Sequence, residues 1–344
     1  MTYILAFIAG GLLSIALTHL HIRICYKMGW LVYPSPRRIH KVPTPHVGGL
    51  ALYLAFTLVI ASFALVGQVS SYHAIAIVGF STALTLLGFA DDLYDLSASI
   101  RLLFQVACAI AVAAGFGIMI QSVTLPILGT IYLDRTISGY MFTIFWIVGM
   151  IQTANLSDGI DGLTAGLSTI FSVFLLLVAI RLGQYELGIY ASTLAGVSLG
   201  FLRYNFAPAK IFMGDSGAYF LGFLMAVLSI LGSAKLTTAL LVMGVPIADV
   251  AYSIIRRIRA GVVIHMADKE HLHQKLVTLG LSQRVTAIIF YIIAILFGAA
   301  GLIRTREIRI LALASLFVLA AIIILYVDRR SRFIQSKHIE SKEN

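Results

Sequence analysis

An all-α, polytopic integral membrane protein is the fold class the sequence predicts, and three observations predict it. Hydrophobic side chains make up 60% of the 344 residues and charged ones only 12%, far from the composition of water-soluble domains. Mostly apolar runs of 15 to 21 residues recur along the chain, and about 20 such residues cross a hydrocarbon layer of roughly 30 Å. Charged or Gly/Pro-containing breaks separate the runs, with Lys and Arg concentrated in alternate breaks. A soluble enzyme is excluded.

Eleven membrane helices are expected, over residues 3–20, 47–66, 72–90, 102–120, 140–154, 163–180, 187–202, 218–233, 236–255, 285–303 and 308–327. The first has no basic stretch before it and no small-residue cleavage site, so it reads as a retained span. Between the fourth and fifth, alternating Val123, Leu125 and Ile127 before Leu128-Gly129 suggest a short hairpin on the outer surface. With the N-terminus outside, the inner segments 21–46, 91–101, 155–161, 203–217, 256–284 and 328–344 hold 19 Lys and Arg and the outer segments 6. That asymmetry satisfies the positive-inside rule, and an odd span count puts the C-terminus in the cytoplasm. The same rule accounts for the net charge of +10, so no nucleic-acid partner is expected. No repeat of 20 to 50 residues is visible, which leaves one membrane domain over 1–344. Cys25 and Cys108 do not make a disulfide framework.

Acidic residues sort more sharply still. Only Asp134, Glu186 and Glu307 of the 15 fall outside, and an anionic inner leaflet gives no reason to collect carboxylates there. Three clusters stand where spans meet the cytoplasm. Asp91-Asp92-Leu93-Tyr94-Asp95 closes the third span; Asp95 or Ser97 can cap the next helix, but capping explains one carboxylate of three. Adjacent acids repel unless a cation is near, which points to metal or phosphate chemistry. Asn155-Leu156-Ser157-Asp158-Gly159-Ile160-Asp161-Gly162 has good turn chemistry, yet a tight turn needs only one Asp-Gly pair. In Gly214-Asp215-Ser216-Gly217 the glycines let backbone amides approach a phosphate or hydrated Mg2+ at a helix start.

Basic counterparts lie on the same face. Residues 36–49 form a proline-stiffened loop carrying Arg37, Arg38, His40, Lys41 and His46, and the largest inner loop carries His271-Leu272-His273. An H-x-H pair is a zinc-ligand pattern, but no Cys or further His stands at zinc-site spacing, so contact with a diphosphate is the better reading. Asp249, about two turns inside the ninth span, is expensive in hydrocarbon unless it faces a polar cavity or is satisfied by helix packing.

With these motifs in order, the chain resembles the polyprenyl-phosphate N-acetylhexosamine-1-phosphate transferases, the superfamily that includes MraY, WecA and TagO. The likeness is carried by H-x-x-P-x-P-x-x-G-G at 40–49, D-D-x-x-D at 91–95, N-x-x-D-G-x-D-G at 155–162, G-D-x-G at 214–217, P-I-x-D at 246–249 and H-x-H at 271–273. Asp95, where the MraY branch has Lys, places it with the WecA/TagO branch, although Gln274 stands where that branch has a further His.

The resemblance implies a phosphoglycosyltransferase of the bacterial plasma membrane, with its site on the cytoplasmic face. It would take UDP-N-acetylglucosamine and undecaprenyl phosphate, require Mg2+ or Mn2+, and start an envelope glycan of the teichoic-acid or O-antigen type. It implies Asp215 as metal ligand, with Asp91 and Asp92 as further candidate ligands or as a base. It also implies His271 and His273 at the diphosphate, and Lys41, Asn155, Leu156, Asp161 and Phe212 around the nucleoside; Asp95, Asp158 and Asp249 complete the expected substrate-binding set. Family members often dimerise, so a homodimer is a further expectation. The same chemistry with another UDP-N-acetylhexosamine or with UDP-MurNAc-pentapeptide as donor is the nearest alternative. A cation-coupled transporter fits less well, since transporters bind near the midplane and here the acids cluster at one face. A CDP-alcohol phosphatidyltransferase is disfavoured because only two residues separate Asp158 from Asp161.

Overall fold

The computed structural model describes residues 1–34, 42–125, 129–133, 136–231, 236–259, 261, 271–303 and 305–343. The helices in chain order are α1 (Thr2–Met28), α2 (Gly49–Leu65), α3 (Ser71–Tyr94), α4 (Ala98–Phe116), α5 (Ile137–Ser157), α6 (Leu163–Arg181), α7 (Tyr185–Asn205), α8 (Gly214–Ile230), α9 (Leu236–Arg259), α10 (Leu272–Thr278), α11 (Gln283–Gly301) and α12 (Arg306–Glu343). Each of the eleven expected runs is a helix, and the short α10 is an addition. Among the described residues eight helices are long and apolar enough to cross a membrane: α1, α3, α4, α5, α6, α9, α11 and α12. The chain is an all-α integral membrane protein.

Two two-stranded ribbons complete the described structure. Strands β1 (Leu31–Val32) and β2 (Thr44–Pro45) pair antiparallel, a feature the sequence did not suggest, and β3 (Ser122–Leu125) and β4 (Gly129–Tyr132) form the expected hairpin with Ser122 opposite Tyr132.

At the centre stands α8, packed against α3 and α5 and buried at every residue from Ser216 to Ile230. A helix enclosed by others needs no polar face and no lipid-length span, which is why 17 residues suffice. Helix α7 is likewise enclosed, between α1 and α6. Its Ser192, Thr193, Gly196, Ser198 and Gly200 lower its apolarity but let α1 approach closely. Across that seam Ser14 Oγ donates to the Val197 carbonyl at 2.8 Å.

The approach of α3 to α8 depends on Gly88. A Cβ there would stand 2.5 Å from the Asp215 carbonyl oxygen, and one on Gly49 of α2 would stand 2.0 Å from Gly217 N. Gly88→Ala is therefore expected to force α3 off α8, destabilising by about 1–3 kcal/mol or more through overpacking. A lowered Tm in detergent checks it, and an unchanged Tm would contradict it.

Polar groups at one end of the bundle contact one another, and so do those at the other. Glu186 accepts from Ser70 N–H at 3.1 Å and lies 3.2 Å from His73 Nδ1, while Tyr185 OH bonds Thr2 Oγ1 at 2.9 Å and Gln68 Oε1 at 3.2 Å. These are all residues at the expected outer end. The opposite end holds the acidic clusters.

Candidate active site

The carboxylates meet where α3 and α5 end and α8 begins. Asn155, in the last turn of α5, donates from Nδ2 to Asp215 Oδ1 at 2.7 Å. Arg101, in the first turn of α4, places Nη1 2.7 Å from Asp91 Oδ2 and 3.5 Å from Asp215 Oδ2. The Tyr219 hydroxyl reaches the same two oxygens at 3.1 and 3.3 Å. One guanidinium and one phenol thus tie carboxylates from separate helices. Asp91 is fully engaged, since its other oxygen accepts the Leu96 N–H at 2.9 Å across the α3–α4 corner.

Asp92 supplies what α8 lacks. No side chain at Met213 caps that helix, and the first amides of a helix need acceptors. Asp92 Oδ1 accepts from Asp215 N–H at 2.8 Å and Oδ2 from Ser216 N–H at 3.2 Å, with His46 Nε2 3.5 Å from Oδ1. A cap provided by another helix fixes the Asp215 backbone relative to α3. Side-chain exposure separates the three acids: 1% for Asp91, 3% for Asp92 and 30% for Asp215. Asp215 is the one open to a ligand.

The second acidic motif packs beside the first. Gly214 N–H bonds the Asp158 carboxylate, yet burial and then the charges of Asp215, Asp92 and Asp161 hold the Asp158 carboxyl well above its ordinary range. Asp161 Oδ2 accepts the Ala209 N–H at 2.9 Å, and its own N–H donates to Gln283 Oε1 at 2.9 Å. Asn205 links Gly162 N–H at 3.1 Å to the Ile211 carbonyl at 3.0 Å. The turn is thereby stitched to the segment before α8 and to α11.

The histidines reach this turn from α10. Asp249 accepts the Leu272 N–H at 3.0 Å and the His271 Nδ1–H at 3.2 Å. The rings of His271 and His273 are parallel, 5.9 Å apart. His273 lies against the turn, where a Cβ on Gly159 would be 2.3 Å from its Nε2. That Nε2 is buried and has no hydrogen-bond partner among the described residues. Burial lowers the His273 pKa to about 4, overriding the opposing charge of Asp249, so the imidazole is neutral at pH 7.

Comparison with known proteins bears on what such a site does. The profile of glycosyl transferase family 4 matches residues 74–233, which span α3 to the end of α8. A probable undecaprenyl-phosphate N-acetylglucosaminyl 1-phosphate transferase of Bacillus subtilis is 34% identical, over 92% of this chain and 88% of its own. This chain belongs to the polyprenyl-phosphate N-acetylhexosamine-1-phosphate transferase superfamily. A decaprenyl-phosphate N-acetylglucosaminephosphotransferase of Mycobacterium leprae is 32% identical over 87% of this chain and 81% of its own. The undecaprenyl-phosphate alpha-N-acetylglucosaminyl 1-phosphate transferase of Escherichia coli is 27% identical over 82% and 78%.

Of the residues the superfamily motifs single out in this transferase, Asp91, Asp92, Asn155, Asp158 and Asp215 converge. Leu156 is half-buried beside Asn155. Phe212 is half-buried, with its N–H on the Pro45 carbonyl at 2.9 Å and its carbonyl accepting Gly48 N–H at 3.0 Å. Asp95 is exposed, turning the chain out of α3 with φ 51°, and Ser97 rather than Asp95 caps α4. Asp249 holds the histidine segment, accepting from the His271 ring and the Leu272 N–H. Lys41 is outside the described residues. Sequence reasoning missed Arg101, Tyr219 and the pairing of His46. Arg101 carried a signal: it is the lone basic residue of 91–101, at a helix start where the dipole disfavours a cation.

Proposed function

We propose that the protein transfers N-acetylglucosamine-1-phosphate from UDP-N-acetylglucosamine to undecaprenyl phosphate at the cytoplasmic face of a bacterial plasma membrane. An oxygen of the lipid phosphate attacks the sugar-bearing phosphorus, the bond to UMP breaks, and undecaprenyl-diphospho-N-acetylglucosamine remains. Asp215 carries this reading: a partly open carboxylate at a helix N-terminus, backed by acids that two other helices hold in place.

The donor set fits Mg2+ or Mn2+. Its atoms are carboxylate oxygens, the neighbouring charges that add to burial in raising Asp158 are of the kind a divalent cation relieves, and Mg2+ takes only one or two protein carboxylates alongside water and substrate phosphates. Asp215 would hold the ion, with Asp158 next to it, and when bound the ion neutralises charge on the donor diphosphate. The chain's own groups do the positioning. Asn155 orients Asp215, and Arg101 and Tyr219 lock it to Asp91. A phosphate monoester has a second pKa of about 6, so the lipid nucleophile needs little help from a base. That favours positioning over base catalysis for Asp91 and Asp92, whose oxygens are already committed. Neutral His273 serves as a hydrogen-bonding partner for the diphosphate rather than as a counter-charge, and His271 stands beside it.

Asp95 and the His271-Leu272-His273 spacing favour UDP-N-acetylglucosamine as donor. Turnover of a panel of UDP-sugars with undecaprenyl phosphate, read as UMP release, tests this; faster use of UDP-MurNAc-pentapeptide would overturn it. The 19 to 6 division of basic charge supports eleven spans with Asn344 in the cytoplasm, and a C-terminal reporter active only outside the cell would refute that orientation.

Phe212 would stack on uracil, being three residues from Asp215 and pinned through its backbone. Stacking is worth about 1–3 kcal/mol per base, so Phe212→Ala is expected to raise the UDP-sugar KM roughly 5- to 150-fold, with the lipid KM unchanged. A raised lipid KM alone would place the ring in the lipid groove.

A further inference from the structure

Among the described residues α12 adds nothing to the carboxylate cluster, yet a buried ion pair ties it to the histidine helix. Lys275 Nζ of α10 donates to Asp328 Oδ1 of α12, with both side chains more than nine-tenths buried. The Tyr252 hydroxyl of α9 donates to Asp328 Oδ2 at 3.1 Å. Charges so placed are costly to desolvate, and bare stability is a weak reason to keep them. Holding a particular geometry is a better one.

Helix α10 has seven residues, too few to be stable alone, so its tethers decide where it sits. Asp249 holds its first amide and His271; Lys275, one turn on, is held by Asp328. Residues two apart within a helix project from nearly opposite sides of it. His273 accordingly faces away from Lys275, against Gly159, with its ring stacked on that of His271 at the start of the helix. Two carboxylates from α9 and α12 therefore set how far the opposite face of α10 advances on the second acidic motif.

We propose that Lys275–Asp328 is a positioning pair that fixes the depth of His273 beneath the 158–162 turn, making α12 part of the apparatus that aligns the diphosphate. Its kinetic consequence rests on the transferase reading; its structural consequence does not. Displacements near 1 Å at a reacting centre can cost about 100-fold in rate. Asp328→Asn and Lys275→Met are each expected to lower kcat roughly 10- to 100-fold with the UDP-sugar KM changed less than about 3-fold. Asp328→Glu should restore most of the loss, and the double variant should be no worse than the poorer single one.

Amide hydrogen exchange, followed by mass spectrometry on full-length protein in detergent, supplies a readout independent of turnover. Residues 271–278 should exchange faster in Asp328→Asn while α3 and α8 stay protected. Should the single variants fail to fold, Lys275→Met/Asp328→Leu removes both charges and should fold with kcat still low. Wild-type kcat in Asp328→Asn, unchanged exchange in α10, or collapse of every helix in the double variant would overturn the proposal. Absence of UMP release by the unaltered protein would instead defeat the transferase reading, and the exchange result would still decide the positioning role.

Discussion

Asp215→Ala is expected to lower UMP release by at least about 1,000-fold, at the upper end of what loss of one electrostatic group costs an enzyme. The fold should persist. The Asp215 side chain is 30% exposed, and α8 is held by the buried residues from Ser216 to Ile230. Arg101 and Tyr219 keep Asp91 as a partner after the substitution. Asp215→Asn sharpens the test, because it preserves shape but removes the charge a cation requires, and it should be nearly as inactive. Near-normal turnover in either variant, with an unchanged Tm, would remove Asp215 from the mechanism.

Arg101→Gln is expected to harm both stability and rate. Among the described residues its guanidinium bridges Asp91 and Asp215, and Asp91 is almost fully buried. Deleting one partner of a buried pair costs about 3–5 kcal/mol; Arg101 is itself 28% exposed, which places the expected loss near the lower bound, ~3 kcal/mol. UMP release should fall roughly 100-fold, because two carboxylates would then face each other without the cation that orients them. Thermal unfolding in detergent and initial rates, measured on one preparation, check both. Arg101→Lys should recover part of the stability but less of the rate, as an ammonium lacks the planar fork that spans two acceptors. Full activity in Arg101→Gln would mean that the bridge has no part in orienting Asp215.

Much of this was legible in the chain and some was not, for identifiable reasons. Apolar runs located the helices but not their ends. The helix α3 continues to Tyr94 and α5 to Ser157, carrying Asp91, Asp92 and Asn155 on helical turns where composition suggested loops. Their polar side chains find partners on neighbouring helices, so the helix runs on after the apolar pattern stops. Similarly α1 extends to Met28 because His21 and Cys25 bond the Val47 and His46 carbonyls.

At the site, acids clustered within a motif were visible as anomalies of charge. Their partners were not, because Arg101 and Tyr219 look ordinary until the fold brings them to the cluster. Lys275 and Asp328, 53 residues apart, gave no local sign at all. Gly48-Gly49 was visible as a motif, but its use, the close approach of α2 to the start of α8, required the packing.

The central claim is that the Asp215 cluster passes a sugar phosphate to a lipid phosphate with the help of a divalent cation. Purified protein given UDP-N-acetylglucosamine, undecaprenyl phosphate and Mg2+ should release UMP and form the lipid diphospho-sugar in equal amounts, and neither product should appear when the lipid or the cation is omitted. UMP release that continues unchanged without the lipid phosphate, or no release under any of these conditions, would contradict the account.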